Sequence, residues 1–161
     1  MSKPTRSFEI LELLTRYDVD FMVVGMTAAV LQGAPAVTFD LDILYSRRAD
    51  NVERLLSALT ELDAVFRADP RNLRPERSHL KSAGHKLLMT RWGVLDALGS
   101  LGEQGFEDLE RDVVTLEVED MSCRILSLER LIEVKKKAGR PKDLAVIPLL
   151  EATLARSRGG E

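Results

Sequence analysis

The chain has 161 residues, of which 45% are hydrophobic and 30% charged, with a formal net charge of −3. This length is typical of one domain, and the apolar content is sufficient for a buried core. The slightly acidic balance argues against general binding to nucleic acid, and DNA is not an expected partner. The single cysteine, Cys123, excludes an intramolecular disulfide and fits a reducing compartment. No apolar run approaches the roughly 20 residues of a membrane-spanning helix, and the N-terminus lacks a secretory signal, so we expect a cytoplasmic protein.

The first quarter of the chain predicts a helix, a strand, a short helix and a second strand. Ser7 is the expected N-cap of the first helix, in which Phe8, Leu11 and Leu14 recur at helical spacing. The segment DFMVVG is too short and too rich in β-forming residues for a helix, so it predicts a buried strand. MTAAVLQG then predicts a short helix that ends at Gly33, and VTFDLDILY predicts the second strand.

The middle of the chain predicts an amphipathic helix followed by an irregular basic loop. In ADNVERLLSALTELDA, apolar residues at spacings of three and four form one stripe: Val52, Leu55, Leu56, Leu59 and Leu62. The segment from Arg67 to Lys86 lacks such periodicity and contains two prolines and a glycine. It carries six Lys/Arg against two acidic residues, and we name it the basic segment.

The second half of the chain predicts two pairs of strands and two helices. HKLLMTRW and VLDALG form one pair, and DVVTLEVED and SCRILS form the other. The helix LERLIEVKKKAG is closed by Gly139, and a last helix has Pro141 in its first turn. Pro148 lies inside that helix, where it should remove a hydrogen bond and cause a kink. We predict an α/β (α+β) fold with a mixed sheet flanked by helices. Residues 1–161 form one domain, with the C-terminal helices (about 127–157) packed on it.

The stretch TFDLDILY places two carboxylates one residue apart in an otherwise apolar run. On a strand, Asp40 and Asp42 point to the same side while Leu41 and Ile43 point into the core. Like charges at this spacing repel unless a cation lies between them. Mg²⁺ usually takes one or two carboxylates together with phosphate oxygens, so Asp-x-Asp is a natural half-site for a magnesium nucleotide. The alternative is an ordinary strand with one solvated face.

FDLD also resembles the opening motif of haloacid-dehalogenase-type phosphatases, in which the first Asp is the nucleophile and the second is the general acid. That motif continues with Gly-Thr, whereas this chain continues with Ile43 and Leu44. The second acidic cluster that this family uses for Mg²⁺ is also missing downstream. These differences make a phosphatase the weaker interpretation.

The segment FMVVGMTAAVLQGAPAVTFDLDI supports the magnesium-nucleotide interpretation. It predicts a strand, a glycine, a short helix, a Gly-Pro turn and the Asp-x-Asp strand. This layout resembles the nucleotidyltransferase superfamily, which has the DNA polymerase β-like fold. The segment GAPAVTFDLD is similar to the Gly-x-Pro-Arg-x-Thr-x-Asp-hydrophobic-Asp pattern of small bacterial AbiEii-like and related nucleotidyltransferases. VKKKAGRPKDLAVIPLL resembles their C-terminal Lys-x-x-Ala-Gly-Arg-x-Lys-Asp helix pair.

The resemblance implies a role for each matching residue. Asp40, Asp42 and Asp96, the last on the predicted strand VLDALG, would be the catalytic carboxylates and the ligands of two Mg²⁺ ions, for which Mn²⁺ could substitute. Asp96 would activate the acceptor hydroxyl. A nucleoside triphosphate such as ATP would be the substrate, and its phosphates would be neutralised by the remaining residues of the predicted site: the backbone amides of Gly25, Met26 and Thr27, with Lys135 or Lys142.

Two residues depart from the family pattern. Met26 stands where the pattern has Gly or Ser, although Thr27 offers a hydroxyl beside it, and Ala36 replaces the arginine that often precedes Asp-x-Asp. The main interpretation is therefore a Mg²⁺-dependent nucleotidyltransferase. The alternative is a catalytically degenerate member that keeps the fold as a binding or regulatory module.

The acceptor is less defined than the nucleotide site. The basic segment lies between the Asp-x-Asp unit and the Asp96 strand, so it could hold an RNA backbone such as a tRNA end through its phosphates. It contains no aromatic residues for base stacking, and a solvated loop also explains such a composition. A protein hydroxyl, as in nucleotidyltransferase toxin–antitoxin systems, fits equally well.

Overall fold

The computed structural model describes residues 6–38 and 40–159, and its centre is a mixed sheet of seven strands. The strands, in the spatial order β3-β4-β5-β2-β1-β7-β6, have these bounds: β1 Phe21–Val24, β2 Leu41–Tyr45, β3 Val65–Phe66, β4 His85–Thr90, β5 Gly93–Leu98, β6 Val113–Val118 and β7 Met121–Leu126. The helices are α1 Ser7–Arg16, α2 Gly25–Leu31, α3 Ala49–Glu61, α4 Arg77–Lys81, α5 Phe106–Leu109, α6 Leu128–Ala138 and α7 Pro141–Gly159, with a 3-10 turn at Glu110–Asp112. The predicted α/β class with a mixed sheet is confirmed.

The middle of the sheet is made by β1, β2 and β5, whose residues are almost all apolar because both faces are covered. β2 pairs antiparallel with β1 and parallel with β5. Its residues Leu41 and Ile43 are fully buried, as the sequence predicted. Tyr45 is also fully buried, and its hydroxyl donates a hydrogen bond to the Leu80 carbonyl at 2.8 Å.

One row of residues runs across the sheet and positions the site described below. Asp42 of β2 is aligned with Val24 of β1 on one side and with Asp96 of β5 on the other. Asp96 is in turn aligned with Leu87 of β4. The backbone N–H of Arg67, which directly follows β3, donates to the Leu87 carbonyl at 3.1 Å. Because aligned residues in neighbouring strands project from the same face, this row brings together side chains that are distant in the sequence.

Several local expectations are wrong at the ends of elements. Arg6, not Ser7, is the N-cap of α1, and it makes no side-chain cap hydrogen bond. Phe8 is 42% exposed, because α1 buries the neighbouring face with Ile10, Leu11, Leu13 and Leu14 instead. Asp40 is exposed and precedes β2, which begins only at Leu41. The two aspartates therefore do not share one strand.

The basic segment is more ordered than the sequence suggested. It contains α4, and its last residue, Lys86, belongs to β4. Lys86 is only 3% exposed, and its Nζ donates hydrogen bonds to the carbonyls of Ser82 at 2.5 Å and Gly84 at 2.6 Å. The segment is thus a structured crossover on the way from β2 to β5.

The C-terminal helices pack on the body of the protein. α6 begins after Ser127, whose side chain accepts a hydrogen bond from the Arg130 N–H, and ends at Gly139 with φ of +67°. Leu131 of α6 and Leu150 of α7 belong to the same buried core as the sheet. No helix within the described residues is long and apolar enough to cross a membrane.

Pro148 lies within α7, which continues from Pro141 to Gly159. A proline inside a helix removes one backbone hydrogen bond and crowds the preceding turn. We expect Pro148→Ala to raise the free energy of unfolding by about 1–3 kcal/mol, measured by urea denaturation. Pro141→Ala is the matched control, because a proline in the first turn replaces an N–H that lacks a partner there, and its effect should be small. A destabilising effect of Pro148→Ala would contradict this expectation.

Candidate active site

Two carboxylates meet where the parallel strands β2 and β5 lie side by side. Asp42 and Asp96 occupy aligned positions, and their side chains share a hydrogen bond. Asp96 is buried and Asp42 is half-buried. The predicted juxtaposition of these two acids is present, although Asp96 is more than fifty residues from Asp42 in the chain.

The environment of Asp42 disfavours its negative charge. Burial is the main cause, followed by repulsion from Asp96, the hydrogen bond with Asp96 and repulsion from Asp40, while Lys135 acts in the opposite direction. Together these effects raise the pKa of Asp42 to about 7. A pair of carboxylates held this close is unfavourable without a cation, and a nearby cation would favour the ionised form of both.

Arg67 already supplies a cation to Asp96. Its guanidinium forms a close ion pair with Asp96 Oδ1, and Nη2 lies 3.4 Å from Asp96 Oδ2. The Arg67 side chain is 28% exposed and that of Asp96 is 12% exposed. The hydrogen bond to Asp96 raises the pKa of the Arg67 guanidinium, so this group is firmly cationic. The sequence had placed Arg67 only among the cations of the basic segment, and no local motif indicated its contact with Asp96.

Gly25 makes room for the Asp42 carboxylate. Its φ is +68°, a conformation that L-residues with a side chain rarely adopt. A Cβ atom at this position would lie 2.3 Å from Asp42 Oδ2 and 3.2 Å from Asp42 Cγ. The glycine at the junction of β1 and α2 is therefore required both by the backbone turn and by the carboxylate beside it.

Asp40 and Thr27 form a separate contact at the edge of the site. The Thr27 hydroxyl donates to the Asp40 carbonyl at 2.9 Å, and the Thr38 hydroxyl lies 3.3 Å from the same oxygen. The hydroxyl of Thr27 therefore fixes the chain before β2. The Asp40 side chain is exposed, and its charge reaches Asp42 through space.

The C-terminal helix pair brings a cluster of charges to the opposite side of the site. Asp143 is only 1% exposed and receives Nε of Arg140 at 2.6 Å and Nζ of Lys135 at 3.3 Å. The hydrogen bond from Arg140 is the largest cause that lowers the pKa of Asp143, and Lys135 adds to it. Of the predicted phosphate-binding lysines, Lys135 is thus half-buried and held in place, whereas Lys142 is exposed. Asp143 and Arg140 were not predicted as site residues.

A cleft of about 450 Å³ separates the sheet from α6 and α7. The cleft is lined by predicted site residues and by further residues of the sheet and helices: Val24, Gly25, Met26, Asp42, His85, Leu87, Asp96, Leu98, Leu101, Leu131, Val134, Lys135, Ala138, Arg140, Lys142, Asp143 and Val146. Met26 is a wall of this cleft and also packs against the core. The structure therefore brings Asp42, Asp96, Gly25, Met26, Lys135 and Lys142 to one cavity.

The arginines of the basic segment are largely paired with acids. Arg71 contacts Asp69 at 2.8 Å, Arg74 lies 3.5 Å from Asp63, and Arg77 binds Glu53 with both of its contacts at 2.5–2.7 Å. Arg67 is committed to Asp96 and Lys86 is buried. Of the six positive charges counted in this segment, four therefore lie beside an acid and a fifth, Lys86, is buried.

The carboxylate pair fits one part of a magnesium site. Mg²⁺ is held by oxygen ligands, and in nucleotide enzymes one or two carboxylates suffice because phosphate oxygens and waters supply the remainder. Asp42 and Asp96 provide such a pair, and Gly25 leaves space for one of them. In the part of the chain that the structure describes, no three carboxylate, histidine or cysteine side chains converge into a metal centre.

Comparison with solved structures identifies the fold. A provisionally assigned nucleotidyltransferase from Thermotoga maritima, solved by crystallography, superimposes with a TM-score of 0.55. The alignment has 18% sequence identity and covers 89% of this chain and 92% of that protein. No family model and no curated protein matched the sequence. The chain therefore has the nucleotidyltransferase fold, as the resemblance of its motifs predicted, whereas the AbiEii-like subgroup stays a prediction.

Gly25→Ala tests whether the missing side chain at position 25 provides the space that the Asp42 carboxyl group occupies. We expect the substitution to displace the Asp42 carboxyl from its buried position, so that the pKa of Asp42 falls from about 7 towards the ordinary value of about 3.9. Backbone strain should also lower the free energy of unfolding by about 1–2 kcal/mol. Titration of the Asp42 Cγ signal by NMR measures the first effect and denaturation measures the second.

Gly139→Ala is the matched control for this substitution. Gly139 has nearly the same φ, +67°, but an added Cβ would come no closer than 3.7 Å to another atom. We expect a similar loss of stability and no change in the titration of Asp42. An unchanged Asp42 titration in Gly25→Ala would refute the close approach.

Asp143 should make the stability of the fold sensitive to acid. Because its pKa is lowered in the folded protein, its stabilising effect is present above the unfolded value of about 3.9 and is lost as the pH falls through the folded value. At pH 7, Asp143→Asn should cost about 1–3 kcal/mol, since two charged partners lose their acceptor. Urea denaturation from pH 7 to pH 3 should show this difference shrinking.

Asp63→Asn provides the comparison for Asp143. Asp63 also faces an arginine, Arg74, but its side chain is 62% exposed, so the pair is weak. The expected change in stability is below about 0.5 kcal/mol over the same pH range. Equal changes in the free energy of unfolding for Asp143→Asn and Asp63→Asn would show that the buried charges around Asp143 stabilise the fold no more than an exposed ion pair does.

Proposed function

We propose that this protein is a Mg²⁺-dependent nucleotidyltransferase that moves a nucleoside monophosphate from a nucleoside triphosphate to a hydroxyl group. The observation that carries the proposal is the contact between Asp42 and Asp96 at the floor of a cleft whose other wall presents Lys135. The nucleotidyltransferase fold of the chain supports it. Neither feature alone would suffice, because one fold can host several functions.

The residues divide the chemistry between them. Asp42 and Asp96 would hold Mg²⁺, and the exposed Asp40 adds negative charge in the neighbourhood of Asp42. Mg²⁺ at this position would neutralise the charge that develops on the transferring phosphoryl group. Lys135 and Lys142 line the cleft on the α6–α7 side, where they would neutralise the phosphates of the nucleotide.

Asp96 would accept the proton of the acceptor hydroxyl. The hydroxyl oxygen forms a bond to the α-phosphorus, and the bond from that phosphorus to the pyrophosphate oxygen breaks. Asp96 takes the hydroxyl proton as a general base and returns it to solvent. Leu131 and Val134 give the cleft apolar walls on the helix side.

The acceptor that the surface favours is a protein hydroxyl rather than RNA. Arg71, Arg74 and Arg77 each have an acidic partner on the surface, which lowers the net positive charge presented to a phosphate backbone. A larger depression of about 1130 Å³ adjoins the cleft and shares Leu101, Val134 and Ala138 with it. This depression offers room for a polypeptide segment beside the reaction site, in keeping with a toxin–antitoxin setting.

A non-catalytic binding module is the second candidate. The observation in its favour is that Arg67 occupies both oxygens of Asp96. Such a module would bind a partner molecule without transferring a nucleotide to it. Replacement of Asp42 would leave the binding of that partner intact.

The decisive experiment is incubation with each α-³²P-labelled nucleoside triphosphate, Mg²⁺ or Mn²⁺, and cell lysate. We expect label to enter a macromolecule, and protease or RNase treatment identifies its class. Asp42→Asn and Asp96→Asn should reduce labelling by about 100-fold or more. Asp63→Asn, which changes the same charge on the exposed surface, should keep full activity. Absence of labelling with every nucleotide, from a folded protein, would favour the binding module.

A further inference from the structure

Arg67 differs from the other arginines of the basic segment in the acidic residue that its side chain contacts. Arg71, Arg74 and Arg77 pair with acids on the surface. Arg67 instead leaves the edge of the sheet, has a contact to the Leu88 carbonyl at 3.4 Å and ends on Asp96. Its backbone N–H is fixed to the Leu87 carbonyl at 3.1 Å, which holds the residue in line with the carboxylates.

The contact occupies the atoms that a divalent cation would need. The guanidinium reaches Oδ1 and Oδ2 of Asp96, and the other carboxylate of the pair, Asp42, is hydrogen-bonded to Asp96 as well. A guanidinium and a divalent cation that approach the same carboxylate oxygens repel each other, and each weakens the attraction of the carboxylate for the other. Arg67 and a bound divalent cation are therefore competitors for Asp96.

We propose, on the basis of the function proposed above, that Arg67 is a built-in counter-ion that holds Asp96 in the metal-free protein and leaves this carboxylate when a divalent cation binds. It is a positioning residue, since it acts through Asp96. In the metal-free protein its positive charge offsets the repulsion between the carboxyl groups of Asp42 and Asp96. The ion pair between Arg67 and Asp96 lowers the apparent affinity for the cation, because it must be broken before the cation binds.

The side chain has room to make this movement. It is 28% exposed, so its guanidinium can turn towards solvent without opening the core. The Arg67 backbone is anchored by its hydrogen bond to the Leu87 carbonyl. Leu87 is 40% exposed and lines the cleft. The exchange thus requires a change of side-chain rotamer rather than a movement of the sheet.

Binding of Mn²⁺ alone, followed by electron paramagnetic resonance, tests the competition without any enzymatic assay. We expect Arg67→Met to bind Mn²⁺ about tenfold more tightly than the wild-type protein, the size expected from losing one charge-assisted hydrogen bond. Arg77→Met is the matched control, because it removes the same charge from an exposed pair with Glu53. Its Mn²⁺ affinity should stay within about twofold of the wild type.

The outcomes separate this inference from the proposed function. If the wild type binds Mn²⁺ and Asp42→Asn abolishes the binding, but Arg67→Met binds no more tightly, Arg67 is not a competitor and only the present inference fails. If neither the wild type nor Arg67→Met binds Mn²⁺, the metal-dependent function and the inference fail together.

A second measurement follows the contact in the wild-type protein. A guanidinium held by a carboxylate rotates slowly, so its Nη–H protons give separate NMR signals, which Arg67→Met assigns by their absence. We expect diamagnetic Mg²⁺ to merge these signals while it shifts the Cγ signal of Asp42. Separate Arg67 signals at a Mg²⁺ concentration that saturates the Asp42 shift would overturn the proposal.

Discussion

The close contact between the carboxyl groups of Asp42 and Asp96 is the constraint that the surrounding residues must accommodate. Parallel strands place the two carboxyl groups side by side in a partly buried position, where their charges are poorly solvated. Such an arrangement is unfavourable for folding alone, and burial of like charges is retained in proteins mainly where a function requires it. The neighbouring residues can each be understood as a response: Gly25 leaves space, Arg67 supplies charge and Lys135 approaches from the facing helix.

The two sides of the cleft control their charges in different ways. On the sheet side, the carboxyl groups of Asp42 and Asp96 have one close cationic partner, Arg67. On the helices, buried Asp143 pairs with both Arg140 and Lys135, so this cluster has one excess positive charge and the lysine is held at the cleft wall. The magnesium nucleotide proposed above would complement this division, because its positive part would meet the sheet and its negative part would meet the helices.

The sequence predicted the parts of the fold that depend on local pattern. Apolar runs and periodicity located the central strands and α3, and glycine at the strand end indicated the turn before α2. Asp42 and Asp96 were also predicted, since their strands were. Arg67 and the start of β2 after Asp40 were not predictable, because both depend on pairing with strands distant in the chain. The burial of Asp143 likewise depends on how α6 meets α7, which no single segment specifies.

The row that joins the carboxylates has a consequence for the order of folding. Its members come from five separate segments, and the parallel pairing of β2 with β5 closes a connection of about fifty residues that includes α3 and the basic segment. Contacts of such long range form late, since the entropy of closing the loop must be overcome first. The two acids therefore meet only when β2 pairs with β5. The same pairing aligns Leu41 with Leu95 and Ile43 with Ala97, all fully buried, so the unfavourable contact forms together with apolar contacts that offset it.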